Sequence, residues 1–190
     1  KVEVKATFME DNTMLNYFVD VPASAYYYDA VLWAAEQGIT GGTDATHFSP
    51  DGVCTRAQAV TFLWRAAGSP APSTTAMPFT DVAADSYYYN AVLWAMENGI
   101  TVGTSSTTFS PDLKCSRAHI MTFLWRSEKS PAAGSVNPFT DVSADAYYAD
   151  AVLWAVKESV TNGTSYATFS PDADCTRAQI VTFIYRALAE

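Results

Sequence analysis

Three arginines occupy one recurring place in this chain. Arg56, Arg117 and Arg177 each follow Cys-Thr or Cys-Ser, each precede Ala, and are separated by 61 and 60 residues. Each falls just inside the start of a segment that reads as a helix, where the macrodipole is already positive and an acidic residue would be favoured. A guanidinium beside a helix amino end is suited instead to a carboxylate or a phosphate group. The plainer alternative is internal pairing with Asp20, Asp81 and Asp141, the acidic residues repeated in the Phe-x-Asp-Val segments. Residue types alone leave both readings open, because structural ion pairs also look like sites. Both hold if the aspartate orients an arginine that keeps free donors.

Other repeated residues are candidates of the same rank. Trp33, Trp94 and Trp154 lie off the main apolar stripe of the first helix, on a face shared in the first copy with Tyr26, Ala30 and Gln37. There they either line grooves between repeats and receive the apolar face of a sugar, or serve as packing. Gly42, Gly103 and Gly163, followed by Thr43, Thr104 and Thr164, either let a ligand approach the backbone or supply a turn with positive φ. Cys54, Cys115 and Cys175 are odd in number, which argues against a disulfide framework. A three-thiolate metal site requires them to meet on an axis and lacks His or carboxylate ligands at metal spacing, so small buried hydrophobes are the simpler reading. His47 and His119 occur in one copy each, and Asp172-Ala-Asp174 has no counterpart at Asp51-Gly-Val53 or Asp112-Leu-Lys114. Asn162-Gly-Thr164 fits a glycosylation acceptor, yet its parallel is Gly41-Gly-Thr43. No nucleophile–base pairing, phosphate-binding loop or dinucleotide fingerprint is visible.

The elements that must position these residues repeat with them. The openings Phe18-Val-Asp20-Val21, Phe79-Thr-Asp81-Val82 and Phe139-Thr-Asp141-Val142 each lead to Ala-Val-Leu-Trp-Ala, then Gly-Thr, then Phe-Ser-Pro-Asp. Such self-similarity at a fixed period marks a repeat architecture. The spacing predicts repeats over 18–68, 79–127 and 139–189, joined by connectors at 68–78 and 127–138. Each unit reads as helix, loop, helix. Tyr27, Val31, Ala34, Ala35 and Gly38 form the stripe of the first helix, ending at a glycine suited to a left-handed cap. Thr55 with Gln58 and Thr176 with Gln179 form capping boxes at the second helix, of which Ser116 with His119 reads as a weakened copy. Val60, Leu63, Trp64 and Ala67 give that helix one buried face. Two short helices cannot bury both stripes alone, so the three copies form one interdependent, pseudo-threefold body.

Composition bounds the function. The 190 residues are 49% hydrophobic and 16% charged, with a net charge of −9, which argues against a broad phosphate-binding surface for nucleic acid. No apolar run approaches the length that crosses a bilayer, and no basic-apolar leader opens the chain. Residues 1–17 stand outside the repeat: Val2, Val4, Ala6 and Phe8 alternate with polar residues, a strand pattern. They read as a lead-in or the tail of a preceding domain, and the chain as the C-terminal piece of a longer polypeptide.

Together these motifs resemble the S-layer homology family, from Phe18 onward. They are Phe-x-Asp-Val, Tyr-Tyr-x-x-Ala-Val, x-Gly-Thr, Phe-Ser-Pro-Asp and Thr/Ser-Arg-Ala-Gln/His. The resemblance implies a mainly α, three-pronged spindle that anchors an extracellular protein non-covalently to a secondary polysaccharide of the bacterial cell wall. That polymer often bears pyruvyl ketals on N-acetylmannosamine, and a pyruvyl ketal carries a carboxylate. By the same resemblance Arg56, Arg117 and Arg177 are the principal contacts in grooves between repeats, with Asp20, Asp81, Asp141 and the Gly-Thr pairs beside them. No cofactor, metal, nucleic acid, membrane insertion or catalytic residue is implied; the partners are an acidic wall polysaccharide and upstream domains of the same polypeptide. The chain departs from the family where its usual glutamate is Gln58, His119 and Gln179, and where its usual tryptophan is Tyr26, Tyr87 and Tyr147. Two other classes compete. One is a self-assembly or spacer module whose arginines are consumed in internal salt bridges. The other is glycoside hydrolysis, which needs two carboxyl groups facing across a cleft, whereas only one acidic position recurs convincingly as a groove candidate.

Overall fold

The computed structural model describes residues 16–189, so the strand expected around Val2–Phe8 lies outside the described residues. Six helices follow in order: α1 (Tyr28–Glu36), α2 (Arg56–Ala66), α3 (Tyr89–Glu97), α4 (Arg117–Ser127), α5 (Ala149–Lys157) and α6 (Arg177–Leu188). They form three helix-loop-helix units, and among the described residues there is no sheet, only three isolated β-bridges.

The second helices, α2, α4 and α6, pack on one another around a common axis. Each first helix packs mainly on the second helix of the repeat before it: α3 on α2, α5 on α4, and α1 on α6. The last pairing closes a ring. Apolar faces that no single helix pair could cover are thereby buried by exchange, with Val31, Val60, Val92, Met121, Val152 and Val181 wholly inaccessible.

Local chemistry sets where the helices begin and end. Gly38 takes φ +68 after α1, as the left-handed stop predicts, and Ser159 adopts φ 61 at the matching place in the third repeat. Thr55, Ser116 and Thr176 each accept a hydrogen bond from the amide three residues on, and all three capping boxes are complete. The copy expected to be weak is not weak. His119 Nδ1 accepts the Ser116 N–H at 3.2 Å, doing the work of the glutamine carbonyl elsewhere.

The cysteines meet on the axis. Cys54 N–H donates to Cys175 O, Cys115 N–H to Cys54 O and Cys175 N–H to Cys115 O, at 2.8–2.9 Å. All three side chains are free thiols and fully buried. Burial pushes the Cys54 and Cys175 thiols up to about 12, the behaviour of small apolar residues closing a backbone triangle. Among the described residues no cluster has metal-holding geometry.

The connectors are tied down too. Trp64 and Trp125 donate indole N–H bonds to Pro70 O and Pro131 O. Their counterpart in the third repeat is Tyr185, whose ring packs edge-on against Trp33 of α1 at 5.5 Å.

Candidate functional site: three arginine grooves

The amide N–H groups opening α2, α4 and α6 are spent inside the fold. Arg56 N–H donates to Leu113 O and Ala57 N–H to Pro111 O; Arg117 and Ala118 donate to Ala173 O and Pro171 O; Arg177 and Ala178 donate to Gly52 O and Pro50 O. The helix amino end therefore offers no free donors to an external anion, contrary to the sequence expectation. Its donors seat the next repeat's Ser-Pro-Asp loop instead. The charge that remains for a ligand is the guanidinium.

Internal pairing fails as well. Among the described residues the only salt bridges involve His47, Lys114 and Lys157, and none involves an arginine. Asp20 accepts the amide N–H groups of Phe48 and Ser49 at 2.9 and 2.7 Å, and Asp81 and Asp141 do the same for Phe109–Ser110 and Phe169–Ser170. Burial works to raise the Asp141 carboxyl, but its amide donors outweigh that and hold its pKa below the ordinary value. On the far side of the same peptide segment, the phenylalanine carbonyl receives an arginine. Arg177 Nε donates to Phe48 O at 2.7 Å, Arg56 Nε to Phe109 O at 3.0 Å and Arg117 Nε to Phe169 O at 2.7 Å. The aspartates thus orient the arginines through an intervening backbone, without neutralising them.

Each guanidinium is also flanked by two rings. Arg56 lies 4.8 Å from the centroid of Phe109 and 5.3 Å from Phe123, Arg117 likewise between Phe169 and Phe183, and Arg177 between Phe48 and Phe62. Burial lowers all three pKa values, yet arginine stays protonated. The residues are only 3, 4 and 6% exposed, and no side-chain nitrogen among the described residues is both sealed from solvent and unpartnered. Withdrawing a cation from water costs several kcal/mol. A carbonyl and two ring faces, each ring worth up to about 2 kcal/mol, work against that cost.

The outer guanidinium edges of Arg177 and Arg56 open into grooves assembled from all three repeats. Groove 1 carries Thr40, Gly42 and Thr43 from the first repeat's loop, Arg65 from α2, Tyr87 from the second repeat and Arg177 from the third, around about 290 Å³. Groove 2 is built alike from Thr101, Gly103, Thr104, Arg126, Tyr147 and Arg56, around about 360 Å³. For groove 3, Arg117 Nη2 approaches Thr161 Oγ1 at 3.4 Å and Arg186 Nη1 donates to Val160 O, as Arg65 does to Ile39 O. A larger depression of about 420 Å³ beside Leu32, Ala35 and Glu36 has no cation on its walls.

The remaining sequence candidates divide. Gly42, Gly103 and Gly163 sit at φ +81 to +83, and a Cβ at Gly42 would come within 2.6 Å of the Phe18 ring and 2.5 Å of His47 O. They line grooves, but the turn and the close packing are what demand glycine. Thr43, Thr104 and Thr164 donate back to loop carbonyls and contact the hydroxyls of Ser49, Ser110 and Ser170 at 2.6–2.7 Å. The tryptophans are not on the walls of grooves 1 and 2: Trp94 and Trp154 are buried in the core and Trp33 packs against Tyr185. Packing, the plainer of their two readings, describes Trp33 and Trp94, whereas Trp154, also in the core, edges a cavity shared with Arg186.

Sequence reasoning missed the second arginines, Arg65, Arg126 and Arg186, and treated Tyr87 and Tyr147 only as departures from a motif, placing Tyr26 alone on a candidate groove face. All six recur at the repeat period. Their signal was present but was masked by the apolar segments in which they stand.

Comparison with known proteins agrees with this architecture. A family model described as the S-layer homology domain matches residues 17–60, 78–120 and 138–181, together more than half of the chain. A surface-layer 125 kDa protein of Lysinibacillus sphaericus is 29% identical over 171 residues, 87% of this chain and 14% of that protein. An S-layer protein of Bacillus thuringiensis subsp. finitimus is 24% identical over 170 residues, 88% of this chain and 21% of its own length. An endoglucanase of Bacillus sp. (strain KSM-635) is 28% identical over 168 residues, and the chain spans only 18% of it.

Proposed function

The chain belongs to the S-layer homology family, and on that footing we propose that it is a non-catalytic anchor that holds a bacterial surface protein to the cell wall by binding an acidic wall polysaccharide in its arginine grooves. Wall association and an extracellular place follow from the family and from the surface-layer relatives. The observation that carries the chemistry is a guanidinium, repeated three times, that is buried, charged and without a carboxylate partner among the described residues, with the outer edges of Arg56 and Arg177 at grooves. An incoming carboxylate completes its coordination as a charge-assisted, fork-shaped pair.

A polysaccharide bearing pyruvyl ketals supplies that carboxylate on a sugar ring. The tyrosines at the groove edges, Tyr87 and Tyr147, are largely exposed and offer a ring face to the sugar. Several weak sites along one polymer reinforce one another through effective concentration.

The test is retention on purified wall sacculi by the triple variant Arg56→Met, Arg117→Met and Arg177→Met, which keeps the apolar stems between the rings. Each lost charge-assisted contact weakens binding by about 1.5–3 kcal/mol, so retention is abolished while helix content is kept. A self-assembly or spacer module would leave retention unchanged. Sacculi stripped of their polysaccharide serve as the control and retain neither protein.

A further inference from the structure

In two of the three repeats the polypeptide entering the repeat lies along the first helix. In the second repeat the connector crosses α3: Glu97 accepts the amide N–H groups of Ser73 and Thr74, and the Thr74 hydroxyl accepts the Ala76 N–H. In the third, residues 133–136 line a depression together with Leu153, Val156 and Lys157 of α5. Gly134 approaches so closely that a Cβ there would come within 2.9 Å of Leu153 O. In the first repeat the matching face of α1, formed by Leu32, Ala35 and Glu36, borders the depression of about 420 Å³, and the described chain enters at its edge through Tyr17 and Phe18.

The entry has the same form in the first repeat as in the third. Asn16 donates its side-chain amide to Val21 O and accepts the Phe18 N–H, as Asn137 does with Val142 O and the Phe139 N–H. A chain fixed in this way at position 16 presents the residues before it to the same helix face. Counted back from this shared point, Asn12-Thr13-Met14-Leu15 stand in register with Ser73-Thr74-Thr75-Ala76 and with Ala133-Gly134-Ser135-Val136.

Two correspondences fit that register. Glu36 stands where Glu97 does and Thr13 where Thr74 does, so the carboxylate acceptor and the hydroxyl occur together, whereas the third repeat has Lys157 and Gly134 and lacks both. Side-chain volume is also exchanged between the facing surfaces. The helix position carries Ala35, Val156 or Met96, and the entering chain carries Met14-Leu15, Ser135-Val136 or Thr75-Ala76 respectively. The bulkiest pair thus meets the smallest helix residue, the compensation that close packing demands.

We infer that the depression on α1 is the seat of the chain's own residues 12–15, with Met14 and Leu15 packed over Ala35 and Leu32 and with Glu36 accepting the amide N–H groups of Asn12 and Thr13. Burying two apolar side chains there removes them from water, and an unbranched methionine suits an irregular gap. The folded body then begins at Asn12, ahead of the family match that starts at residue 17, and the residues before Asn12 leave from the flank of α1. Neither the seat nor its occupant uses an arginine, so the result stands whether or not the grooves bind a glycan.

The test is amide hydrogen exchange read by nuclear magnetic resonance on the whole chain. The N–H groups of Asn12 and Thr13 exchange at least about tenfold more slowly than in an unstructured peptide, as amides held on a carboxylate do, and the methyl groups of Met14 and Leu15 show Overhauser contacts to Leu32. Ala35→Met places in α1 the side chain that α3 has at this position; it fills the seat and returns both amides to the unstructured rate. Met14→Asn with Leu15→Asn, changed in the occupant alone, does the same while the amides of α1 keep their protection. Unstructured rates in the unsubstituted chain overturn the inference, as does protection that survives both variants. A Leu32 methyl signal that moves with protein concentration, with a dimer in sedimentation, assigns the seat to a second copy and overturns it equally.

Discussion

At the scale of single residues, the proposed chemistry rests on a charged group without a counter-ion among the described residues. The arginines were legible from sequence as unusual, since a cation at a helix amino end is locally unfavourable. Their true partner was not legible. A backbone carbonyl leaves no mark on a sequence pattern, whereas a recurring aspartate invites a salt bridge the fold does not make. The aspartate's role predicts its mutant. Asp81 accepts one amide N–H on each carboxylate oxygen, so Asp81→Asn turns one acceptor into a donor facing a donor. The cost is about 1–3 kcal/mol in urea unfolding, with weaker glycan binding because Phe109 O no longer holds Arg56 firmly. The tryptophans teach the opposite lesson. Their helical face was readable, but a groove and a helix contact occupy the same side of a short helix, and only the packing partner decides between them. The thiols yield a second prediction: with Cys54 and Cys175 pushed up to about 12 by burial, native protein resists thiol reagents at mildly alkaline pH. It reacts at all three cysteines once unfolded, which a colorimetric thiol assay reads directly.

At the scale of elements, helix starts were the most legible feature, because capping chemistry is local and lies within four residues. The misjudged copy, Ser116 with His119, shows why residue type alone undervalues a cap: an imidazole nitrogen accepts as a glutamine oxygen does, provided the ring stays neutral. Burial, with the charge of Arg56 added, pulls the His119 pKa down to about 4. Its folded pKa thus lies below the unfolded value near 6.5, and between these values the unfolded chain binds more protons. Its contribution to stability is complete above the unfolded value and is lost as pH falls toward about 4. The chain therefore unfolds at lower urea as pH drops through that window, and His119→Gln flattens this part of the profile. Removing a cap outright, as in Thr55→Ala, costs about 1 kcal/mol at any pH.

At the scale of the whole molecule, three interdependent units could be inferred from the period and from apolar faces too small to fold alone. The offset could not: spacing is silent on which neighbour a helix packs against, and here every first helix docks on the second helix of the repeat before it, α1 closing the ring on α6. Grooves 1 and 2 accordingly draw on all three repeats. Deleting residues 139–189 removes the helix under α1 and the arginine of groove 1, so the remaining chain loses cooperative unfolding and glycan binding together. A circular permutant opened in the 68–78 connector and joined between the described ends keeps every such contact, and retains both. Net charge adds a further expectation. A body at −9 repels an acidic polymer at long range, while the buried guanidinium contact is screened far less. Raising ionic strength from about 0.01 M to 0.15 M shortens the screening length from about 30 to 8 Å, so affinity holds or rises with salt.

The central claim is that an external carboxylate completes the unpaired arginines. Its most direct measurement is the calorimetric affinity of this chain for wall polysaccharide before and after chemical reduction of the polymer's carboxyl groups to alcohols. A drop of at least tenfold on reduction, with the chain's fold unaltered, is the predicted result; an affinity that is the same for both polymers contradicts the account.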